Sequence, residues 1–399
     1  MANVLAINTG SSSLKWKLFR MPAEKLVAGG MVDRLGQPSS KLVINYNSGE
    51  KYELQSEIKS SDDAVELILN KLLELKIIND LSEINGVGHR VVAGGEIFDK
   101  STLVDTEKLR QIKKLGELAP LHNPVEARGI AAFMHVLPGV PEVAVFDTSF
   151  HTSLQPVNYL YSIPTKYYRD YGLRKYGAHG TSVRYVATQT AKMMDQPLSD
   201  LRIVVMHMGN GVSITAVKDG KSYDTSMGYT PVAGVTMGTR SGDIDPSLVM
   251  MLMKKLGLQD PDDVIKILNT ESGLLGLSGL SSDMRDLIDT RTTRPDSQLA
   301  IDVFVNRVIK YVAGYIAEMG GADALVFTAG MGESAELIRK LVIDKLNVFG
   351  VKLDESKNKA AKGESDITGA GSSMRVMMVP TNEELMIARD VYEISHDVN

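Results

Sequence analysis

The stretch VLAINTGSSSLKWKLF, residues 4–19, is the starting point for interpreting this chain. Two apolar segments, residues 4–8 and 14–19, flank small polar residues, which predicts a strand, a tight turn and a second strand. A turn of glycine and serine offers backbone N–H groups and hydroxyls with no bulky side chain, so an anion can approach it. Lys15 follows the turn and Asn8 precedes it. The stretch predicts a site for a nucleotide phosphate and its metal; the alternative is a serine-rich hairpin with ordinary turn hydrogen bonds.

Composition limits the possible classes of protein. The chain has 399 residues, 43% of them hydrophobic and 23% charged, which predicts a globular protein of two domains. No apolar run is long enough to span a membrane and no export signal is visible, so we expect a cytoplasmic protein without a membrane partner. The absence of cysteine excludes disulfides, thiolate metal sites and cysteine nucleophiles. A net charge of -5 without basic blocks argues against nucleic acid as a partner.

Strand and helix patterns alternate along the chain, which predicts an α/β fold. The second half repeats the opening plan: an apolar strand at residues 202–206, the glycine turn HMGNG and a second strand at 212–217. This repeat predicts two like-folded domains that face a shared cleft, residues 1–150 and 151–383. We also expect a final helix at 384–399 that packs back on the first domain. Asn123 and Pro124 open one predicted helix, and residues 354–373 are predicted to be a surface loop.

Polar and charged residues collect where the predicted strands end, and ligands of open α/β sheets bind at such strand ends. Alone, each has a structural explanation: Arg90 a surface ion pair, Asp147 a turn cap, Glu383 a first-turn helix acid, and His122 and His179 satisfied structural imidazoles. The set comprises Asn8, Ser11, Ser13, Lys15, Arg90, His122, Asp147, His179, His207, Asn210, Arg240, Asp243, Gly330 and Glu383.

These residue types suit phosphoryl transfer, which requires charge neutralisation and in-line placement more than covalent chemistry. Arg90 and Arg240 lie beside glycine-containing stretches and can grip a carboxylate or phosphate in a fork. Glu383 and Asn8 are oxygen ligands suited to Mg²⁺. A catalytic base is unnecessary if the acceptor is already an anion, so the two arginines predict a carboxylate acceptor.

Nine motifs resemble those of the acetate kinases, in order and at that family's spacing from residue 3 to about 394. They are NTGSSSLK (8–15), HRVV (89–92), PLHNP (120–124), FDTSFH (146–151), YGAHGTS (176–182), HMGNG (207–211), MGTRSGD (237–243), GMGES (330–334) and PTNEE (380–384).

The resemblance implies a duplicated fold of the actin and hexokinase (ribonuclease H-like) type, a homodimer, and reversible transfer of phosphate between ATP and acetate with Mg²⁺ or Mn²⁺. Asn8 and Glu383 would hold the metal. The catalytic residues would be Arg90, His122, Asp147, His179 and Arg240. The acetate site would comprise Arg90, Val92, Leu121 and Pro231. The nucleotide site would comprise Ser11, Ser13, Lys15, His207, Met208, Gly209, Asn210, Gly211, Asp283, Met284, Arg285, Gly330, Met331, Gly332, Glu333 and Ser334.

The chain departs from the family pattern at Ala93, Ala178, Val183 and Ser334. Because a small residue at 178 could enlarge the acyl pocket, propionate is the alternative acceptor. An actin-like nucleotide-binding protein without transfer activity and a sugar or polyol kinase of the same fold are further alternatives.

Overall fold

The computed structural model describes residues 1–10, 12–47, 49–120 and 122–397, without the side chain of Asp397. The strands are β1 (Ala2–Thr9), β2 (Ser13–Met21), β3 (Lys25–Asp33), β4 (Ser40–Tyr46), β5 (Glu50–Ser56), β6 (Ile84–Val91), β7 (Thr102–Leu103), β8 (Glu142–Phe146), β9 (Ile203–Met208), β10 (Val212–Lys218), β11 (Lys221–Thr225), β12 (Ala324–Thr328), β13 (Ser365–Asp366) and β14 (Arg375–Met378). The α-helices are α1 (Ser61–Glu74), α2 (Thr106–Lys114), α3 (Asn123–Val136), α4 (Pro156–Tyr159), α5 (Lys166–Tyr171), α6 (Gly180–Met193), α7 (Ser247–Leu256), α8 (Pro261–Thr270), α9 (Gly273–Ser278), α10 (Met284–Thr290), α11 (Pro295–Glu318), α12 (Ala329–Ser334), α13 (Glu336–Lys345), α14 (Glu355–Ala360) and α15 (Glu383–Asp397).

The chain forms two compact units. The first contains Met1–Phe150 and the segment from Asn382 onward, and the second contains His151–Thr381. Among the helices described, none has both the length and the apolar character that a membrane span requires.

The first unit is built on one sheet in the order β5-β4-β3-β2-β1-β6-β8-β7. The first five strands form an antiparallel meander, whereas β1, β6 and β8 run parallel. The capping box of Ser60 and Asp63 starts α1, whose apolar stripe packs with β1 and α3 into one hydrophobic cluster. The last helix, α15, packs against β1, β2, β6 and β8. The parallel strands thus end close to the first turn of α15.

The second unit has a six-stranded sheet in the order β11-β10-β9-β12-β14-β13. Its five strands from β11 to β14 repeat the order and directions of β3-β2-β1-β6-β8 in the first unit. The long helix α11 supplies Phe304, Val308 and Val312 to the main hydrophobic cluster of this unit. The duplication predicted from the two glycine turns is therefore present in the strand topology.

Two local predictions were wrong. Residues 354–373 are not one loop, because Asp354 caps α14 by accepting from the N–H of Lys357, and β13 pairs with β14. The sequence pattern also predicts that residues 329–333 connect β12 to a helix that starts at Ser334. The structure instead has a short helix, α12, over Ala329–Ser334, and the next helix starts at Glu336.

Candidate active site

Arg90 lies near the end of β6, where its guanidinium meets two carboxylates of the first unit. Its Nε and Nη2 donate to Oδ2 of Asp147 at 3.0 and 2.6 Å, and its Nε lies 3.8 Å from Oε2 of Glu383. Asp147 follows β8, the parallel neighbour of β6, and its side chain is 1% exposed. Burial lowers the pKa of Arg90, but the charges of Asp147 and Glu383 outweigh it and raise that pKa overall. The arginine is held charged, with 22% of its side chain still exposed.

Glu383 is the first residue of α15, and burial makes the ionised form of its carboxyl group unfavourable. Burial raises its pKa to about 7, Arg90 opposes the rise, and the charge of Asp147 adds to it. A cation near Glu383 would favour its ionised form. Lys17 on β2 holds the neighbouring Glu384 at 3.0 Å.

The oxygen donors of this unit fit Mg²⁺. Asn8 is half-buried near the end of β1, opposite Lys15 on β2, and its amide oxygen and the Glu383 carboxylate are hard donors. Within the described ranges, no group of three or more His, Cys, Asp and Glu side chains could enclose a metal.

The hairpin at residues 8–15 and the residues that the resemblance assigns to acetate binding lie only partly within the described residues. At the hairpin, the N–H of Gly10 donates to the carbonyl of Ser13 at 2.7 Å, and the Lys15 side chain is exposed. Val92 is 6% exposed and packs in a small cluster with Ala93 and Ala119. His122 is half-buried at the N-cap of α3. Ser11 and Leu121, two of the predicted site residues, lie outside the described residues.

Two histidines of the second unit form a fixed pair. The rings of His179 and His207 stack with centroids 4.0 Å apart. His179 has φ of 61°, a left-handed conformation that is uncommon for a non-glycine residue, and its Nδ1 lies 3.0 Å from Oγ of Ser213. Oγ of Ser182 lies 2.8 Å from Nδ1 of His207. The serine contacts fix the orientation of both imidazoles.

The side chains of His179 and Arg240 both lie close to Gly211. A Cβ atom built on Gly211 would lie 3.3 Å from Nη1 of Arg240 and 3.3 Å from Nε2 of His179. Nη1 of Arg240 also donates to the carbonyl of Pro231 at 3.4 Å. The absence of a side chain at 211 therefore leaves a guanidinium and an imidazole next to the same backbone position. The loop that carries Arg240 is held by Asp243, whose Oδ1 accepts from the N–H of Gly234 at 2.8 Å.

A cavity of about 440 Å³ lies in the second unit, and its lining includes Gly209 and Asn210, the two residues before Gly211. Most of the predicted nucleotide residues of this unit line it: Gly209, Asn210, Asp283, Met284, Arg285, Gly330, Met331 and Ser334. Asp283 caps α10 and pairs with Arg285, and Oγ of Ser334 donates to the carbonyl of Gly330 at 2.6 Å. The remaining predicted residues do not line this cavity: His207, Met208, Gly211, Gly332 and Glu333. The Met208 side chain instead lies in the hydrophobic core.

Several residues of the site were missed from the sequence. Ser282 and Ala335 line the cavity, and Ser182 and Ser213 hold the histidines. In the first unit, Asn123 and Glu126 hold the backbone of residues 92 and 93. The sequence gives a weak indication that Ser182 and Ser213 belong to the site, because each follows a motif histidine by a few residues. The sequence gives no such indication for Glu126, because an acid in the first turn of a helix is common.

Comparison with known proteins places the chain in one family. The sequence model of the acetokinase family matches residues 3–389. The acetate kinase of Lacticaseibacillus paracasei is 56% identical over 99% of this chain and 100% of its own length, and that of Enterococcus faecalis is 53% identical over 98% and 99%. The crystal structure of Porphyromonas gingivalis acetate kinase superposes with a TM-score of 0.93 at 40% identity, covering 99% of this chain and 100% of that one. A propionate kinase from Francisella tularensis superposes with a TM-score of 0.92 at 40% identity, covering 98% and 100%. These matches confirm the predicted α/β fold of the actin and hexokinase type. With a family match over nearly its whole length and relatives above 50% identity, the chain belongs to the acetokinase family.

Proposed function

We propose that the chain transfers a phosphoryl group reversibly between ATP and acetate, giving acetyl phosphate and ADP, by direct in-line displacement. The main support for this mechanism is the position of Arg90 at a strand end. Its guanidinium pairs with Asp147, yet part of the side chain remains exposed. A partly open, permanently charged fork is suited to binding a small carboxylate.

Each group has a defined part in this mechanism. Arg90 binds the acetate carboxylate beside the apolar Val92, and Asp147 orients Arg90 through its two hydrogen bonds. Arg240 and His179, on either side of Gly211, stabilise the charge that develops on the transferred phosphoryl oxygens. In this proposal His122 would act close to the transferred phosphoryl group, and Lys15 and Ser13 would bind the phosphates. The family resemblance also assigns Leu121 and Pro231 to acetate binding.

Mg²⁺, when bound, neutralises phosphate charge and orients the nucleotide. Asn8 and Glu383 would hold it, with Mn²⁺ as a substitute of similar ligand preference. ATP would occupy the cavity lined by Asn210, Asp283 and Gly330.

Arg240 provides the sharpest test of this mechanism. Arg240→Ala should lower kcat by a factor on the order of 10³, because a clamping arginine contributes that much or more to phosphoryl transfer. Arg240→Lys keeps the charge without the fork and should recover only part of the loss. Rates are measured as acyl hydroxamate formed from ATP and acetate. A wild-type protein that binds ATP but forms no hydroxamate would instead be an actin-like binding protein, and an unchanged rate in Arg240→Ala would remove the proposed role of the arginine.

We also propose that the chain forms a homodimer. Exposed apolar side chains on α7 support this, with Leu248, Met250, Met251 and Leu256 between 47% and 62% exposed. Light scattering of the wild type and of Met250→Glu would test it: a dimer should weaken when a charge enters a buried contact, whereas a monomeric wild type would contradict the proposal.

A further inference from the structure

Glu126 is a buried acid beside the proposed acetate site to which the mechanism above gives no part. It lies in the first turn of α3 and is 3% exposed. Its Oε2 accepts a hydrogen bond from the N–H of Val92 at 3.0 Å. Val92 comes two residues after Arg90, at the point where β6 has ended. A side chain from a helix therefore takes the hydrogen-bonding role that a neighbouring strand would otherwise have.

The next residue of the loop is held in the same way. Oδ1 of Asn123 accepts from the N–H of Ala93 at 3.0 Å, and its Nδ2 donates to the carbonyl of Ala93 at 2.8 Å. The N–H of Gly94 donates to Oγ1 of Thr148 at 2.9 Å. The backbone from 92 to 94 is thus fixed by three side chains. Of these three, only Glu126 can change its charge.

An acid in the first turn of a helix has an ordinary explanation, since it interacts favourably with the helix dipole. Such an acid is normally exposed, as Glu107 is in the first turn of α2, with 57% of its side chain accessible. Glu126 is instead buried and bonded to a loop outside its helix. Burying a carboxyl group is unfavourable unless its contacts compensate, so the helix dipole alone does not account for this position.

We propose that Glu126 is a positioning residue for the acceptor: by holding the N–H of Val92 it fixes the apolar wall beside Arg90 and so sets the affinity for the short carboxylate. The proposal rests on the function proposed above. Glu126 does not touch the reacting atoms. Its effect should appear in the KM for acetate far more than in the KM for ATP.

The charges around Glu126 add a pH dependence. Burial raises its pKa to about 8, while the Val92 N–H and the charge of Arg90 on β6 oppose the rise and Asp147 after β8 adds to it. An acetate anion bound at Arg90 would raise this pKa further, so acetate binding favours the protonated form. By linkage, the KM for acetate should be lowest below about pH 8 and should increase at higher pH.

The test compares Glu126→Ala, Glu126→Gln and the matched exposed control Glu107→Gln by initial rates from pH 6 to 9. Glu126→Ala should raise the KM for acetate about tenfold at pH 7, the scale of one lost hydrogen bond, with the KM for ATP within about twofold of wild type. Glu126→Gln keeps an acceptor for Val92, so it should restore the KM at pH 7 and abolish its increase above pH 8. Glu107→Gln should match wild type throughout.

Other outcomes would overturn the proposal. An unchanged KM for acetate in Glu126→Ala would do so, as would equal changes in both KM values. If Glu126→Ala does not fold, the pH profile of Glu126→Gln decides: a profile identical to wild type would refute the role of Glu126. A wild type without acetate-dependent activity would refute the proposed function instead, so the two failures are distinguishable.

Discussion

At the scale of single residues, the site depends on a missing side chain at Gly211. A methyl group there would lie 3.3 Å from both Arg240 and His179, closer than most such contacts, so one of these groups must move. Gly211→Ala should therefore lower kcat by at least about tenfold, since small misplacements of transition-state groups are costly. Steady-state kinetics together with a circular dichroism spectrum would check this.

Gly314→Ala is the matched control. Gly314 lies within α11 and an added Cβ there meets nothing within 4 Å. This variant should keep full activity and gain about 0.5 to 1 kcal/mol in unfolding free energy, because alanine is the better helix former. Equal activity losses in both variants would mean that the Gly211 effect is not local.

Glu126 also has a consequence for stability. Its pKa in the folded protein, about 8, lies above the ordinary value of 4.5, so its contribution is fully favourable below about pH 4.5 and is lost as pH rises towards 8. Glu126→Gln does not titrate and should lose less stability between pH 5 and 8 than wild type. Urea denaturation at several pH values measures this. Parallel stability curves for the two proteins would contradict the buried, neutral state of the carboxyl group.

At the scale of elements, the packing of α15 on β6 places Glu383. A Cβ on Gly88 would lie 2.3 Å from Cγ2 of Ile387 and 2.6 Å from Cγ2 of Val391, so Gly88→Ala forces the helix away from the strand. Overpacking of this kind costs about 1 to 3 kcal/mol. We expect a lower melting temperature and also reduced activity, because the first turn of α15 carries Glu383.

The compensating change is Ile387→Ala in the Gly88→Ala background. It removes the nearer of the two contacting methyl groups, while that of Val391 remains, so it should restore part of the activity because positions 88 and 387 are coupled. Additive effects of the two substitutions would show that the helix does not respond to the strand in this way.

At the scale of the whole molecule, the two acceptors to compare are acetate and propionate. Ala178, the departure that suggested a larger acyl pocket, is 3% exposed and belongs to the main hydrophobic cluster of the second unit. Its carbonyl accepts from Nε2 of His151 at 2.9 Å. The small side chain is thus accommodated by core packing within that unit. It does not by itself argue for a larger acid.

We therefore expect acetate to have the higher kcat/KM, with propionate about 10-fold or more below it, since one methylene changes discrimination by roughly 1 to 3 kcal/mol. Initial rates with acetate, propionate and butyrate at saturating ATP test this. A preference for propionate would assign the chain the specificity named for the Francisella tularensis relative.

The sequence was sufficient for the features that depend on neighbours along the chain. The two strands that flank the glycine and serine turn of the first hairpin, and the repeat of that hairpin at HMGNG, follow from hydrophobic period and turn residues. The motif residues Arg90, Asp147 and Glu383 could be selected because they stand at predicted strand and helix ends. None of these inferences required knowledge of a distant contact.

Only the tertiary structure determined which distant residues contact these positions. Three contacts join positions that are far apart in sequence. They are the hydrogen bond between Glu126 and Val92, the approach of His179 and Arg240 to Gly211, and the packing of Ile387 of α15 against Gly88. Such contacts depend on how sheets and helices pack, and local residue patterns carry no record of them. For the same reason a buried acid and an exposed first-turn acid, Glu126 and Glu107, have the same sequence signature but different chemistry.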